Sequence, residues 1–201
     1  MMDLRVQNLL QEKQYLEISK SYKILFDFML QPENEAFFSH ILNECKDFVG
    51  RAFEISEQFR IPVILRTTTR VSHSRSLVEC TEPVNLEREY AFDKNPPRHC
   101  PLPIWGRQMR RDLERKQHEM SALASSDDSQ LNKIETRSQD IGIITSSMAY
   151  QFVRDVFPEA SVLKLGWCFP FPDEIIRKFA STVKQLLVVE ELDDFIEERV
   201  K

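Results

Sequence analysis

Ile141-Gly142-Ile143-Ile144-Thr145-Ser146 is a β-branched apolar run that ends in small hydroxyl residues. Its length and residue types are those of a buried strand. Tyr150, Val153, Val156 and Phe157 follow as one helical face. The alternation then repeats. Ser161-Val162-Leu163-Lys164-Leu165-Gly166 reads as a second strand, and Pro172 opens a helix carrying Ile175, Ile176 and Phe179. Gln185-Leu186-Leu187-Val188-Val189-Glu190 reads as a third, followed by a terminal helix from Asp193 or Asp194. Strand and helix alternating at this spacing predict a parallel, right-handed doubly wound α/β unit. With three strands in sight, the sheet is expected to be partial and its apolar faces only partly covered.

Working upstream, Cys45, Phe48, Val49, Ala52, Phe53, Ser56 and Phe59 recur at three- and four-residue steps and predict one amphipathic helix. It leads into Pro62-Val63-Ile64-Leu65-Arg66-Thr67-Thr68-Thr69-Arg70-Val71-Ser72-His73-Ser74-Arg75, where an apolar run turns into Arg, Ser and His. Residues 62–68 are expected to form a buried strand. The polar residues just past its carboxyl end then fall where open α/β sheets bind ligands. Arg70 and Arg75 offer forked cationic donors, and His73 adds an imidazole, so the three are a candidate substrate or anion site. The alternative is a polar turn whose arginines pair with surface carboxylates. No residue is assigned a catalytic or metal-binding role.

From Met1 to about Asn43 apolar stripes predict two helices separated by a turn at Pro32 and carry no chemistry. Prolines 83, 96, 97, 101 and 103 mark a meandering connection. Trp105, Met109, Leu113, Met120 and Leu123 then mark a helix whose arginines alternate with Asp112, Glu114 and Glu119, the pattern of a solvated face. Ser125-Ser126-Asp127-Asp128-Ser129-Gln130 reads as a flexible linker.

The chain has 201 residues, 42% of them hydrophobic and 29% charged, with a formal charge of -5, which places it among globular proteins and against general nucleic-acid binding. No apolar run is long enough to span a bilayer, and the N-terminus lacks a signal-peptide layout, so a cytoplasmic location is expected. Cys45, Cys80, Cys100 and Cys168 form no CxxC pair, which argues against a local zinc or iron–sulfur site. Cys45 and Cys168 are expected to be buried thiols. Thr145, Ser146 and Ser147 before a helix have the character of an anion-binding helix start, without the glycine-rich loop of a nucleotide fingerprint. Glu190 and Glu191 point to opposite faces of a strand, so at most one faces a crevice, and the other is expected to serve packing or a helix N-terminus.

Three stretches together resemble the alpha subunit of indolepyruvate ferredoxin oxidoreductase, of the thiamine-diphosphate-dependent 2-oxoacid:ferredoxin oxidoreductase family. They are Glu44-Cys45-Lys46-Asp47-Phe48 through the Arg66–Arg75 segment, Leu131-Asn132-Lys133-Ile134-Glu135, and Ile141 through Val188-Val189-Glu190-Glu191-Leu192-Asp193-Asp194. The resemblance implies a non-matching helical segment over 1–42 and the C-terminal part of a pyrimidine-binding domain over 43–78. It further implies a connection with one helix and a polar linker over 79–138, and a partial transketolase C-terminal-like domain over 139–201. It implies oxidative decarboxylation of aryl pyruvates to acyl-CoA, with electrons passed to ferredoxin. The implied partners are a beta subunit and ferredoxin, with self-association possible where domains are missing. Thiamine diphosphate, magnesium and [4Fe-4S] clusters belong to the full-length family, and none is expected on this stretch. The chain is thus expected to be an internal piece of the subunit: an oxidoreductase component that works with domains on other chains or, as the alternative, a non-catalytic remnant or interaction module that keeps the α/β scaffold.

Overall fold

A computed structural model describes residues 35–73, 75, 77–80 and 94–201. Helix α1 runs over Glu35–Phe59, α2 over Thr69–His73, α3 over Pro96–His99 and α4 over Pro103–Ala124, followed by a 3-10 turn at Asp127–Ser129. Then come β1 Asn132–Glu135, β2 Ile141–Ser146, α5 Ala149–Val156, β3 Ser161–Leu165, α6 Asp173–Ala180, β4 Gln185–Val189 and α7 Glu197–Val200. The chain divides into two compact units. One comprises Met1–Glu57, Pro62–Leu65 and Thr69–Pro83; the other comprises Gln58–Ile61, Arg66–Thr68 and Val84–Lys201.

The second unit is built on a four-stranded sheet of order β1-β3-β2-β4. β2 pairs in parallel with both β3 and β4, Ile144 lying opposite Leu163 on one side and Val188 on the other. Side chains alternate across the central strand. Ile143 packs with Val153 of α5, Ala160 and Val162 on one face. Ile144 packs with Leu163, Leu165, Ile175, Ile176, Phe179 and Ile196 on the other. The chain is thus α/β, with the parallel core read from its three apolar runs.

Two expectations about this unit are corrected. β1 is a fourth strand, antiparallel to β3, with Asn132 opposite Leu165 and Glu135 opposite Val162. The apolar faces of β2 and β3 are not left partly bare. Ile143, Ile144, Val162 and Leu163 are wholly buried, because α5 covers one face while α6 and Ile196 cover the other. Gly142 shows how closely the α6–β4 connection sits on the sheet: a Cβ there would lie 2.7 Å from Val183 Cγ2 and 3.1 Å from Phe179 Cζ.

The buried strand expected at 62–68 does not form. The segment makes no ladder among the described residues, and Ile64 is 90% exposed. β-propensity states only that side chains suit a pleated, half-buried surface; a strand also needs a neighbour to receive its peptide groups. The helix expected from Cys45 begins earlier, at Glu35, so the Phe37–Leu42 stripe and the Cys45–Phe59 stripe belong to one α1. The helix expected before Pro32 lies outside the described residues.

The flexible linker expected at Ser125–Gln130 is a tightly bonded turn. Ser126 Oγ donates to the Leu123 carbonyl at 2.8 Å, and the fully buried Ser129 donates to the Ser126 carbonyl at 3.0 Å. Short hydroxyl side chains satisfy backbone groups locally, and here that chemistry closes a turn. The basic face of α4 behaves as expected: Arg110 pairs with Glu114 and Arg115 with Glu119, both at 2.8 Å and exposed. Among the described residues no helix is long and apolar enough to cross a membrane.

Candidate functional site

The predicted anion loop falls on α2 and the residues after it. His73 and Arg75 are exposed there, and the side chain of Arg70 lies outside the described residues. The turn from Thr69 to His73 is helical, so the segment leaves an extended run and enters one short helix as a strand–loop–helix motif would. It does so without the sheet that places such a loop beside others. In the same unit α1 and the extended run form an apolar groove of about 190 Å3, lined by Val49, Ala52, Phe53, Ser56, Val63 and Leu65.

The described residues bring more polar groups together around the four-stranded sheet. Asn132, buried at the start of β1, organises the place where β3 ends. Its Oδ1 accepts from the Gly166 amide at 2.9 Å and the Trp167 amide at 2.8 Å. Its Nδ2 donates to the Ala124 carbonyl at 2.8 Å and the Trp167 carbonyl at 3.3 Å. One side-chain amide thereby serves four backbone groups, at the end of α4 and past the end of β3, while the Gly166 amide also reaches the Leu131 carbonyl at 3.2 Å. Glu190, at the end of β4, accepts from the Ile196 amide at 2.9 Å and the Glu197 amide at 3.0 Å, stapling the terminal turn through the helix start. That is the helix-terminus role anticipated for one of the two glutamates. It also occupies the carboxylate, which removes it from acid/base work.

Cys168 follows β3 and is half-buried, as is Cys45, while Cys80 and Cys100 are exposed; none of the four is in a disulfide. Burial first, and the Glu190 carboxylate second, push the Cys168 thiol up, against the opposing pull of Arg66. A thiol held protonated is a poor nucleophile at neutral pH.

On the α5 face a charged belt crosses the sheet. Lys164 is 6% exposed, and its Nζ stands 4.5 Å from the centroid of the Tyr150 ring in the first turn of α5. The Tyr150 hydroxyl donates to Glu135, whose other oxygen lies 3.6 Å from Arg154 Nε. Thr145, opposite Lys164 in the register, is fully buried, and its hydroxyl has no hydrogen-bond partner among the described residues. Sequence reasoning missed Lys164 and Asn132. The signal for Lys164 was present as a single charge inside the apolar run Val162–Leu165; Asn132 was quoted within the Leu131–Glu135 stretch with no role attached. Among the described residues no cluster of three or more His, Cys, Asp or Glu side chains could hold a metal ion.

Comparison with known proteins gives a consistent answer. The chain is 39% identical to indolepyruvate oxidoreductase subunit IorA of Methanothermobacter marburgensis over 178 residues, 86% of this chain and 27% of that protein. This sequence is homologous to part of IorA. With IorA of Archaeoglobus fulgidus it shares 30% identity over 80% of its own length and 26% of that protein. It also matches 2-oxoglutarate synthase subunit KorA of Methanothermobacter marburgensis at 22% identity, over 74% of this chain and 50% of KorA. The chain spans about a quarter of the length of its IorA relatives. No family model matches it, and no solved structure does. The four-stranded sheet flanked by helices fits the α/β fold class expected from the resemblance.

Proposed function

We propose that this chain is a component of a 2-oxoacid oxidoreductase that acts on an aryl pyruvate such as indolepyruvate. The observation that carries the reading is the 39% identity to IorA across most of this chain. In the proposed reaction the substrate carboxylate leaves as carbon dioxide, and the acyl carbon forms a thioester with the coenzyme A thiol. Two electrons pass to two oxidised ferredoxins, and the one thiol proton goes to solvent.

Thiamine diphosphate and iron–sulfur chemistry belong, on this reading, to the portion of the subunit that the relatives carry and this stretch does not span. The role of this chain is then to supply scaffold, with Arg70, His73 and Arg75 facing the anionic substrate or cofactor once the assembly is complete.

The exposed run Val63–Leu65 and its groove with Val49 and Phe53 supply the attachment. A β-branched segment without a ladder, beside an apolar groove, is complementary to an added strand. The occupant is the remaining portion of an IorA-type subunit. To test this, the chain is mixed with a Methanothermobacter IorA lacking the matching quarter, together with the beta subunit, and ferredoxin reduction by indolepyruvate is followed. Assembly with turnover is expected, and Ile64→Asp should abolish assembly while leaving the melting temperature of the free chain unchanged. Assembly without turnover would favour the interaction-module reading. No assembly at micromolar concentrations would overturn the proposal.

A further inference from the structure

β4 is a rim strand of the four-stranded sheet, and its hydrogen bonds fix which of its residues face outward. The Gln185 amide donates to the Asp140 carbonyl at 3.0 Å, with Ile141 opposite Gln185 in the register. Peptide groups alternate sides along a strand. Gln185, Leu187 and Val189 therefore turn theirs to β2, and Leu186 and Val188 turn theirs outward. Among the described residues no strand lies beyond β4 to receive them. The run Gln185-Leu186-Leu187-Val188-Val189 holds no charge, proline or bulge, the devices that blunt an edge. Charge enters at its two ends, positive at Lys184 and negative at Glu190.

The helix beside this rim carries an apolar stripe. Ala149 and Val153 are the buried positions of α5. Tyr150 and Arg154, one turn apart, reach Glu135 on β1, the far rim of the sheet. Phe152 and Val156, also one turn apart, occupy the opposite flank of the helix and so face the β4 side. They are 39% and 67% exposed, and Leu187 on the strand is 43% exposed. Leu187 shares the α5 face of the sheet with Val189, which packs on the Ile143–Val153 cluster. Outward peptide groups under an apolar stripe form a slot for one more strand.

β4 of a second copy meets these requirements. A two-fold axis perpendicular to the sheet beside Leu187 lays the two β4 strands antiparallel, with both α5 helices on one face. Leu186 then lies opposite Val188 of the other copy, and the outward peptide groups pair with one another. Leu187 meets its own mate, Gln185 meets Val189, and Lys184 meets Glu190. Centring the axis on Leu186 or Val188 instead sets Lys184 against Val188, or Glu190 against Leu186. The Leu187 axis alone sets the two charges against each other. We propose that this chain forms a two-fold dimer by antiparallel pairing of its β4 strands about Leu187, the Phe152–Val156 stripe of each copy covering the strand of the other.

One short strand and a helix stripe make a small interface, so a dissociation constant of about 10 µM is expected. Sedimentation equilibrium of the full chain from about 1 to about 200 µM should show monomer giving way to dimer. Leu187→Lys sets like charges opposite each other across the axis and should weaken the dimer at least ten-fold. Ile64→Asp should leave it unchanged, which separates this contact from the groove of the first unit. The register is tested by cross-linking in a Cys80→Ser, Cys100→Ser background. Leu187→Cys should oxidise to a dimer linked through position 187 of both copies, because non-hydrogen-bonded cross-strand neighbours stand close enough for a disulfide. Gln185→Cys, which faces Val189, should not link to itself. The cysteine variant keeps a small apolar side chain, so it decides the matter even where the lysine unsettles the strand. A monomer up to about 200 µM would leave the edge to a strand of another chain and overturn the proposal. A dimer of full strength in Leu187→Lys, a dimer dissolved by Ile64→Asp, or equal cross-linking at 185 and 187 would overturn it as well.

Discussion

Pro62-Val63-Ile64-Leu65 and Ile141-Gly142-Ile143-Ile144 are nearly the same kind of sequence, and they meet opposite fates. Ile64 is 90% exposed on a run with no ladder, whereas Ile144 is wholly buried on the central strand of a sheet. Local composition is almost constant between them. The difference lies in neighbours: β2 has β3 and β4 on its flanks, α5 on one face and α6 on the other. β-propensity selects residues that are able to live in a sheet, and the partners decide whether a sheet exists.

Ile144→Ala and Ile64→Ala are the sharpest way to break the comparison. Truncating a well-packed core side chain costs about 2–5 kcal/mol, while an exposed position away from special contacts stays within roughly 0.5 kcal/mol. Urea unfolding of both variants, followed by amide exchange on β2, should show the first loss and almost none for the second. Equal costs would mean that the 62–68 run is packed in solution.

Asn132→Ala comes next. It leaves the Trp167 amide and the Ala124 carbonyl without their side-chain partner, while the Gly166 amide keeps the Leu131 carbonyl, and we expect a loss of roughly 2–3 kcal/mol. Asn132→Asp retains the acceptor but opposes a charged oxygen to the Ala124 carbonyl, so it should rescue little. Thermal melting at pH 7 distinguishes these outcomes, and full stability in the aspartate variant would show that the donor half is dispensable.

These residues also mark what a reader of the sequence could and could not see. β2, β3 and β4 announce themselves because parallel strands buried on both faces are nearly continuous apolar runs. β1 does not, since Asn132-Lys133-Ile134-Glu135 holds a single apolar residue and pairs only on one side. Ser125–Gln130 misleads for a different reason: serine and aspartate serve flexible linkers and hydrogen-bonded turns alike, and the choice rests on whether a carbonyl such as that of Ser126 lies within reach. The loop at Arg70–Arg75 was legible as chemistry and illegible as a site, because a site needs several loops held together. Thr145 and Lys164 become neighbours only through the β2–β3 register, which no spacing in the sequence encodes.

Gly142→Ala should cost about 1–3 kcal/mol, the usual range for overpacking, because Val183 and Phe179 already occupy the space. The same substitution at Gly50 or Gly106, where nothing lies within 4 Å, should be neutral or slightly stabilising, since each sits in a helix. A harmless Gly142→Ala would indicate that the α6–β4 connection is looser than drawn.

The smallest expected effect concerns pH. The Cys168 thiol is raised above its ordinary value of 9.0, so its contribution is fully present below that pH and is lost as pH climbs through the folded-state value. Stability measured from pH 8 to 11 should fall more steeply in the parent than in Cys168→Ala. Parallel curves would mean that the thiol titrates as it does in the unfolded chain.

The two rims of the sheet are not alike, and that gives the second unit a direction. The β1 rim is short, antiparallel and studded with Lys133 and Glu135, features that repel an incoming strand. The β4 rim is an uncharged ribbon from Gln185 to Val189, with Leu187 open to solvent and no second neighbour among the described residues. Enlargement of this sheet is therefore one-way: a fifth strand, whatever chain supplies it, is steered to the β4 side. Along that side a newcomer of either polarity meets a run of five peptide units, as β1 and β2 show on the two sides of β3.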